Sequence, residues 1–390
     1  MARIVVIGDL MTDTVAHATL PLARGSDTPA KVTTHGGGSG GNVAAWLGAD
    51  GADVAFIGRR GADIAGRNRD MELMGYGVDA RLVMDPERPT GTCVVMVTHK
   101  GERTMLSDPG ANAALSPDDL PHDLFIPGAH LHVSGYTLLS EGSRAAALAA
   151  LDFAGRVGMS TSVDGASAAP LERVGAEPFF ELTGNALLLF VNVAQARVLT
   201  GREDPEAAAR VLTAWYPQVV IKLGGDGALF FANGRPPVRV PAPPVERVID
   251  GTGAGDAFTA GFLPAWLDKK PPMEALASGC RLAAHALNLI GARPILLSPG
   301  GTTPRTPRGP RTAARWQKPP SYRAAALRQK TRRQPVPPEV LARQKTRRQP
   351  VPPRSSHGSP MAKTAIAAGR DAAAKAGGCL VPRGVQRLSG

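Results

Sequence analysis

Asp250-Gly251-Thr252-Gly253-Ala254-Gly255-Asp256-Ala257-Phe258-Thr259-Ala260-Gly261-Phe262 runs a glycine-rich turn straight into an apolar helical pattern. The first backbone N–H groups of a helix have no partner inside it, and the helix dipole adds partial positive charge there. Such a turn is an anion site suited to phosphate. Asp256 stands at its mouth. A carboxylate beside an anion hole is electrostatically costly unless it has a task. General base is the natural one: the carboxylate takes the proton of a hydroxyl that attacks phosphorus. A helix cap with a tight turn is the plain alternative, and this stretch alone does not dismiss it.

Upstream, short apolar runs alternate with longer helical patterns over the first 290 residues. Strands are expected at Ile4–Ile7, Val54–Ile57, Leu131–Val133, Ser160–Val163, Leu187–Val191, Val219–Lys222 and Leu229–Phe231. Helices are expected at Asn42–Leu47, Ile64–Met74, Ser143–Val157, Pro205–Trp215, Ala254–Leu267 and Met273–Leu289. Alternation with fully apolar strands predicts an α/β fold, a mostly parallel central sheet between helices. Asp13–His35 lacks helical periodicity, and Thr92–Ser107 reads as a hairpin turning at Lys100-Gly101. These segments, about 13–35 and 92–107, are expected to form a small β-sheet lid over the carboxyl edge of the main sheet, where ligands sit in open α/β folds.

A second glycine run, His35-Gly36-Gly37-Gly38-Ser39-Gly40-Gly41-Asn42, precedes a helix. It allows close backbone approach to a ligand. It lacks the Lys-Ser/Thr ending of a P-loop. A hinge between lid and body would use the same residues, and both readings can hold together.

Composition limits the rest. The 390 residues carry a net charge of +12, but residues 295–390 hold 20 Lys/Arg against 2 Asp/Glu. The body is therefore mildly acidic, and the overall basicity says nothing about its ligand. The tail repeats Arg-Gln-Lys-Thr-Arg-Arg-Gln-Pro-Val-Pro-Pro at 328–338 and 343–353. It is expected to be disordered. Without aromatic interleaving, nucleic acid is not expected as a partner. Cys93, Cys280 and Cys379 are too far apart for a metal motif, and no apolar run is long enough for a membrane span. A cytoplasmic location without membrane association is the expectation.

The two glycine motifs, in this order and with Val220-Ile221-Lys222-Leu223-Gly224-Gly225-Asp226-Gly227 between them, resemble the PfkB carbohydrate kinases of the ribokinase-like superfamily over residues 1–294. The resemblance implies an ATP-dependent kinase acting on a small sugar, with a nucleoside kinase of the same family, or a non-catalytic sugar- or nucleotide-binding relative, as the alternatives. It implies Asp256 as catalytic base and the amides of Gly253, Ala254 and Gly255 as the anion hole. Asp13, Gly37, Gly38 and Asn42 match sugar-binding positions, with Asp13 preferred over Asp9. Arg103 sits on the lid hairpin as a further substrate contact. Asn192, Lys222, Gly224 and Gly227 match the nucleotide side. Mg²⁺ accompanies ATP, and Asp250, Thr252 and Gly291 match a K⁺ loop. A homodimer through the lid is also implied.

Three departures stand out. Gln195 of Asn192-Val193-Ala194-Gln195 replaces the family's glutamate, so it reaches magnesium only through water and weaker magnesium binding is expected. Gly251 replaces Thr or Cys, and Ser39 replaces the lysine of ribokinases proper. After Pro294, Ile295-Leu296-Leu297 is a candidate closing strand, but no final helix follows. Elsewhere, His130-x-His132 reads as strand alternation, Arg59-Arg60 as solvated loop charges, Trp46, Trp215 and Trp266 as core, and Asp164 as a site wall.

Overall fold

The structure is a computed structural model that describes residues 2–18, 21–98 and 103–295. Its strands are β1 (Ile4–Ile7), β2 (Met11–Ala18), β3 (Ala30–Gly37), β4 (Val54–Gly61), β5 (Asp79–Asp85), β6 (Gly91–Val97), β7 (Arg103–Asp108), β8 (His130–Val133), β9 (Ser160–Asp164), β10 (Leu188–Asn192), β11 (Gln218–Lys222), β12 (Ala228–Ala232) and β13 (Val238–Val240). Its helices are α1 (Ser39–Ala49), α2 (Ile64–Gly75), α3 (Gly135–Leu139), α4 (Glu141–Val157), α5 (Ala168–Val174), α6 (Ala176–Thr183), α7 (Val193–Thr200), α8 (Pro205–Leu212), α9 (Ala254–Leu267) and α10 (Pro272–Ala286).

The large sheet has the order β13-β12-β11-β10-β9-β8-β1-β4-β5. All its pairings from β11 to β5 are parallel, and β12 and β13 add antiparallel strands at one edge. Side chains alternate across a strand, so each strand feeds two cores. Val5, Ile7, Val133, Val163, Leu189 and Ile221 pack with α4, α6 and α8 on one face. Ile4, Val6, Phe56, Phe190 and Val220 pack with α1, α9 and α10 on the other. This two-sided burial explains the unbroken apolar strands. The expected mostly parallel sheet between helices is present.

The smaller sheet has the order β3-β2-β6-β7. β6 and β7 pair antiparallel, as the hairpin reading requires, although the turn at Lys100-Gly101 lies outside the described residues. Asp13–His35 becomes two antiparallel strands, with Asp13 opposite His35. One face of this sheet buries Met11, Val15, Cys93 and Val95.

The sequence missed β5, a charged edge strand of sequence Asp79-Ala80-Arg81-Leu82-Val83-Met84-Asp85, together with β13 and the helices α3, α5, α6 and α7, which are too short for periodicity to show. α8 ends at Leu212, and Trp215 is 44% exposed, stacked on Phe180, rather than core. Arg59 and Arg60 lie on β4 rather than in a loop. Arg59 bridges Asp85 and Asp119, and Arg60 faces Asp70. Ile295 is exposed and outside any strand, and residues 296–390, where a tail is expected, lie outside the described residues. Among the described residues no helix is long and apolar enough to cross a membrane.

Candidate active site

Parallel strands put their carboxyl ends along one edge, and that edge collects the polar residues. Asp164 ends β9, Asn192 ends β10, Lys222 ends β11, and Asp9 follows β1. A cavity of about 250 Å³ opens there, lined by Ser39, Asp164, Asn192, Lys222, Gly224 and Asp256 among others.

α9 begins at Ala254, with Gly253 as its N-terminal cap at φ 76°. A left-handed backbone favours glycine, and a Cβ there would sit 2.5 Å from the Ala292 carbonyl oxygen. No hydrogen bond among the described residues uses the N–H of Gly253, Ala254 or Gly255. Free amide donors therefore stand beside a cavity where the sequence led us to expect an anion hole.

Asp256 projects from the first turn of α9 into this cavity. Its Oδ1 accepts from Ser39 Oγ at 2.9 Å, and its Oδ2 accepts from Asn42 Nδ2 at 2.9 Å. Burial pushes its carboxyl up to about 7, against the stabilising bond from Asn42. The nearby Asp164 charge adds to the rise, and Lys222 and Ser39 oppose it. A base poised near neutrality accepts a proton readily. Lys222 Nζ lies 3.4 Å from the Gly255 carbonyl oxygen. Burial lowers its pKa, while Asp164 and Asp256 hold it up.

Asn42 is buried in α1 and its side-chain amide is engaged at both ends. Its Oδ1 accepts from Arg293 Nε at 3.2 Å. Arg293 also donates to the Gly37 carbonyl at 2.7 Å and to Glu72 at 3.0 Å. Asn42 thus positions the Asp256 carboxylate and links it to Arg293. Asp9 accepts from the Ser39 and Gly40 amides and from Ser134 Oγ, so it caps α1. Asp13 differs: among the described residues no hydrogen bond reaches its carboxylate, although only 8% of the residue is exposed. Burial raises it to about 6, with Arg293 pulling the other way. The Asp13 carboxylate fills the space a Gly37 side chain would need, and Gly38 turns the chain into α1 at φ 88°. The Arg103 side chain lies outside the described residues.

On the opposite wall, Asn192 caps α7. Its Oδ1 accepts from the Gln195 amide at 2.9 Å, and Gln195 Oε1 accepts from the Asn192 amide at 2.7 Å. Gln195 Nε2 donates to the Ala166 carbonyl at 2.6 Å. Ala166 has φ 53°, a strained value for alanine. Both ends of the Gln195 amide are therefore spent holding this wall. Gly224 borders the cavity, whereas Gly227 packs against the Val240 carbonyl, away from it.

Asp250 knits two loops. Its Oδ1 accepts from the amide and hydroxyl of Thr252, at 2.8 and 2.7 Å, and its Oδ2 accepts from the Gly291 amide at 3.0 Å. Among the described residues no group of three or more His, Cys, Asp or Glu is placed to hold a metal ion. A divalent ion carried mainly by phosphates and water fits such a site better than a protein cage.

Ser39, Asp164 and Arg293 complete the site. Ser39 was visible in the sequence only as a missing lysine. Arg293 carried one signal, its place in Gly-Ala-Arg-Pro.

Known proteins resemble this chain in sequence and in fold. The family described as "pfkB family carbohydrate kinase" matches residues 1–297. The chain is 30% identical over 275 residues to a fructokinase of Klebsiella pneumoniae, covering 66% of this chain and 88% of that one. Adenosine kinase from Sinorhizobium meliloti has a similar structure, with TM-score 0.69 and 25% identity over 75% of this chain and 96% of that one. Fructokinase from Vibrio cholerae O395, solved with fructose, ADP and calcium, has TM-score 0.65 and 27% identity over 76% and 96% of the two chains. The ribokinase-like α/β fold, the free amides at the start of α9 and the match over three quarters of the chain converge: this protein belongs to the pfkB family of carbohydrate kinases.

Proposed function

We propose that this phosphotransferase carries the γ-phosphoryl of ATP to a hydroxyl of a small sugar. The observation that supports the reading best is the Asp256 carboxylate, held by Ser39 and Asn42 beside unpaired amides at the mouth of α9. Asp256 takes the proton of the attacking hydroxyl. The amides of Gly253, Ala254 and Gly255 receive the negative charge of the phosphoryl group. Lys222, Asn192 and Gly224 form the nucleotide side, and Asp13 with the Gly37-Gly38 turn forms the acceptor side. Positioning and charge neutralisation are most of what phosphoryl transfer needs. Mg²⁺ would enter with ATP beside Asn192 and supply positive charge to the phosphates. K⁺ would be held by the two loops that Asp250 joins through Thr252 and Gly291.

Residues 1–294 are proposed as the catalytic domain, with 295–390 dispensable. The outward residues Val32, Val94 and Leu106 of the small sheet are exposed, which supports pairing of two lids in a homodimer. The test is a coupled ADP-release assay against sugars and nucleosides, on the full chain and on residues 1–300. Asp256→Asn serves as the control. Turnover of a sugar that vanishes in Asp256→Asn is expected. Turnover of nucleosides alone shifts the acceptor class, and sugar binding with no ADP release refutes the catalytic reading.

A further inference from the structure

Two histidines lie fully buried in the middle of the parallel sheet, on a strand where aliphatic residues are the rule. Burying imidazoles is costly unless each nitrogen is satisfied. Here they form a file with two serines. Ser160 Oγ is 2.8 Å from His130 Nδ1, and His130 Nε2 is 2.8 Å from Ser162 Oγ. Ser162 Oγ is 2.9 Å from His132 Nδ1. His132 Nε2 faces Asp164 Oδ2 at 3.5 Å and has no hydrogen-bond partner among the described residues. The register explains the file: His130 lies opposite Ser160 and His132 opposite Ser162 on neighbouring strands.

The far end of the file fixes its direction. An ionised Asp164 only accepts, so His132 Nε2 must carry its hydrogen. His132 Nδ1 then accepts, and Ser162 donates its single hydrogen to it. Ser162 must therefore accept from His130 Nε2–H, which leaves His130 Nδ1 to accept from Ser160. The hydrogens of Ser160, His130 and Ser162 are each used once, and that of His132 Nε2 is aimed at Asp164 Oδ2 across 3.5 Å as a charge contact. The other Asp164 oxygen is already bound, by the amides of Gly135 at 3.1 Å and Ala166 at 2.6 Å. A file that merely filled the core would have no reason to end on a carboxylate in the cavity wall.

We propose that Ser160, His130, Ser162 and His132 form a one-way hydrogen-bond relay that holds Asp164 in a single orientation, charged, beside Lys222 and Asp256. These are positioning residues, and their role rests on the kinase reading of the cavity. The groups facing Asp164 are His132 from β8, Lys222 from β11, Asp256 from α9 and Tyr136 from α3. Burial opposes its charge, and His132, Lys222 and the Ala166 amide together keep its carboxyl below the usual range.

The test uses the full chain without ligand. Long-range proton–nitrogen spectra of ¹⁵N-histidine protein, assigned with His130→Asn and His132→Asn, are expected to show the Nε2–H tautomer at both positions. An Nδ1–H tautomer at either overturns the relay. In Ser162→Ala, His130, cut off from the Asp164 end of the file, is expected to show mixed tautomers, and the Asp164 carboxyl, read by ¹³C-aspartate spectra, to titrate roughly one pH unit higher. Ser162→Thr, which keeps the hydroxyl, should restore both. In turnover, Ser162→Ala should lower kcat/KM roughly tenfold and move its pH profile, with KM for the acceptor little changed. A rate loss with an unmoved profile and unmoved carboxyl signals would mark the file as core packing and overturn the proposal. The spectra need no substrate, so a chain with ordered tautomers but no sugar turnover refutes the kinase reading alone.

Discussion

Asp256→Asn separates the chemistry of the site from its effect on stability. In the folded chain Asp256 keeps its proton up to about pH 7, whereas its ordinary value is 3.8. Between these limits the folded state binds more protons than the unfolded state, so stability falls as pH rises through that window. At 1.36 kcal/mol per pH unit the gap corresponds to about 4 kcal/mol, and contact with solvent in the cavity trims this to roughly 2–3 kcal/mol. Asparagine occupies the same volume and satisfies both partners. Its oxygen accepts from Asn42, and its amide donates to Ser39, whose hydroxyl can rotate to accept. The variant should therefore gain about 2–3 kcal/mol at pH 8, gain little at pH 4, and lose roughly 10²–10⁴-fold in kcat. The assay is thermal or urea unfolding of parent and variant across pH 4–8, paired with ADP release. Equal stability differences at both ends of that range would refute the reasoning, because Asp256 would then carry no ionisation cost.

Other substitutions probe the surrounding frame. Gln195→Glu keeps the acceptor for the Asn192 amide but loses the donor to Ala166; the carboxylate should turn into the cavity. Magnesium should then half-saturate at lower concentration while stability drops by about 1–3 kcal/mol, and an unchanged magnesium titration would count against this. Gly253→Ala forces a side chain onto a left-handed backbone against the Ala292 carbonyl. Unfolding measurements should show a loss of at least about 2 kcal/mol, with activity near background. Arg293→Met leaves Glu72 and the Gly37 carbonyl without their buried cation, at a cost of about 3–5 kcal/mol. Because Arg293 also holds Asp13 down, acceptor KM at pH 6–7 should rise in the same variant; a normal KM in a folded sample would detach Arg293 from the acceptor side.

The layered sheet, the two glycine turns and Asp256 were legible in the residues themselves. Apolar runs, helical spacing and glycine clusters are local properties, and each constrains the backbone without reference to distant partners. Asp13 was preferred to Asp9 on resemblance alone. The structure supplies a physical ground, since Asp9 is spent capping α1.

Tertiary structure decided what those residues face. Ser39 and Asn42 reach Asp256 across more than 200 positions, and Arg293 reaches Asn42 across 251. No spacing rule encodes such contacts, because they arise only when β1 and β8 become neighbours in the sheet and α1 packs on α9. The same order sets His130 and His132 against Ser160 and Ser162, turning what looked like strand alternation into a polar file. Gln195 changed meaning as well, from a weak magnesium contact to a bracket on Ala166. Charge states followed burial: a carboxylate's affinity for its proton depends on what surrounds it, and only the folded chain supplies those surroundings.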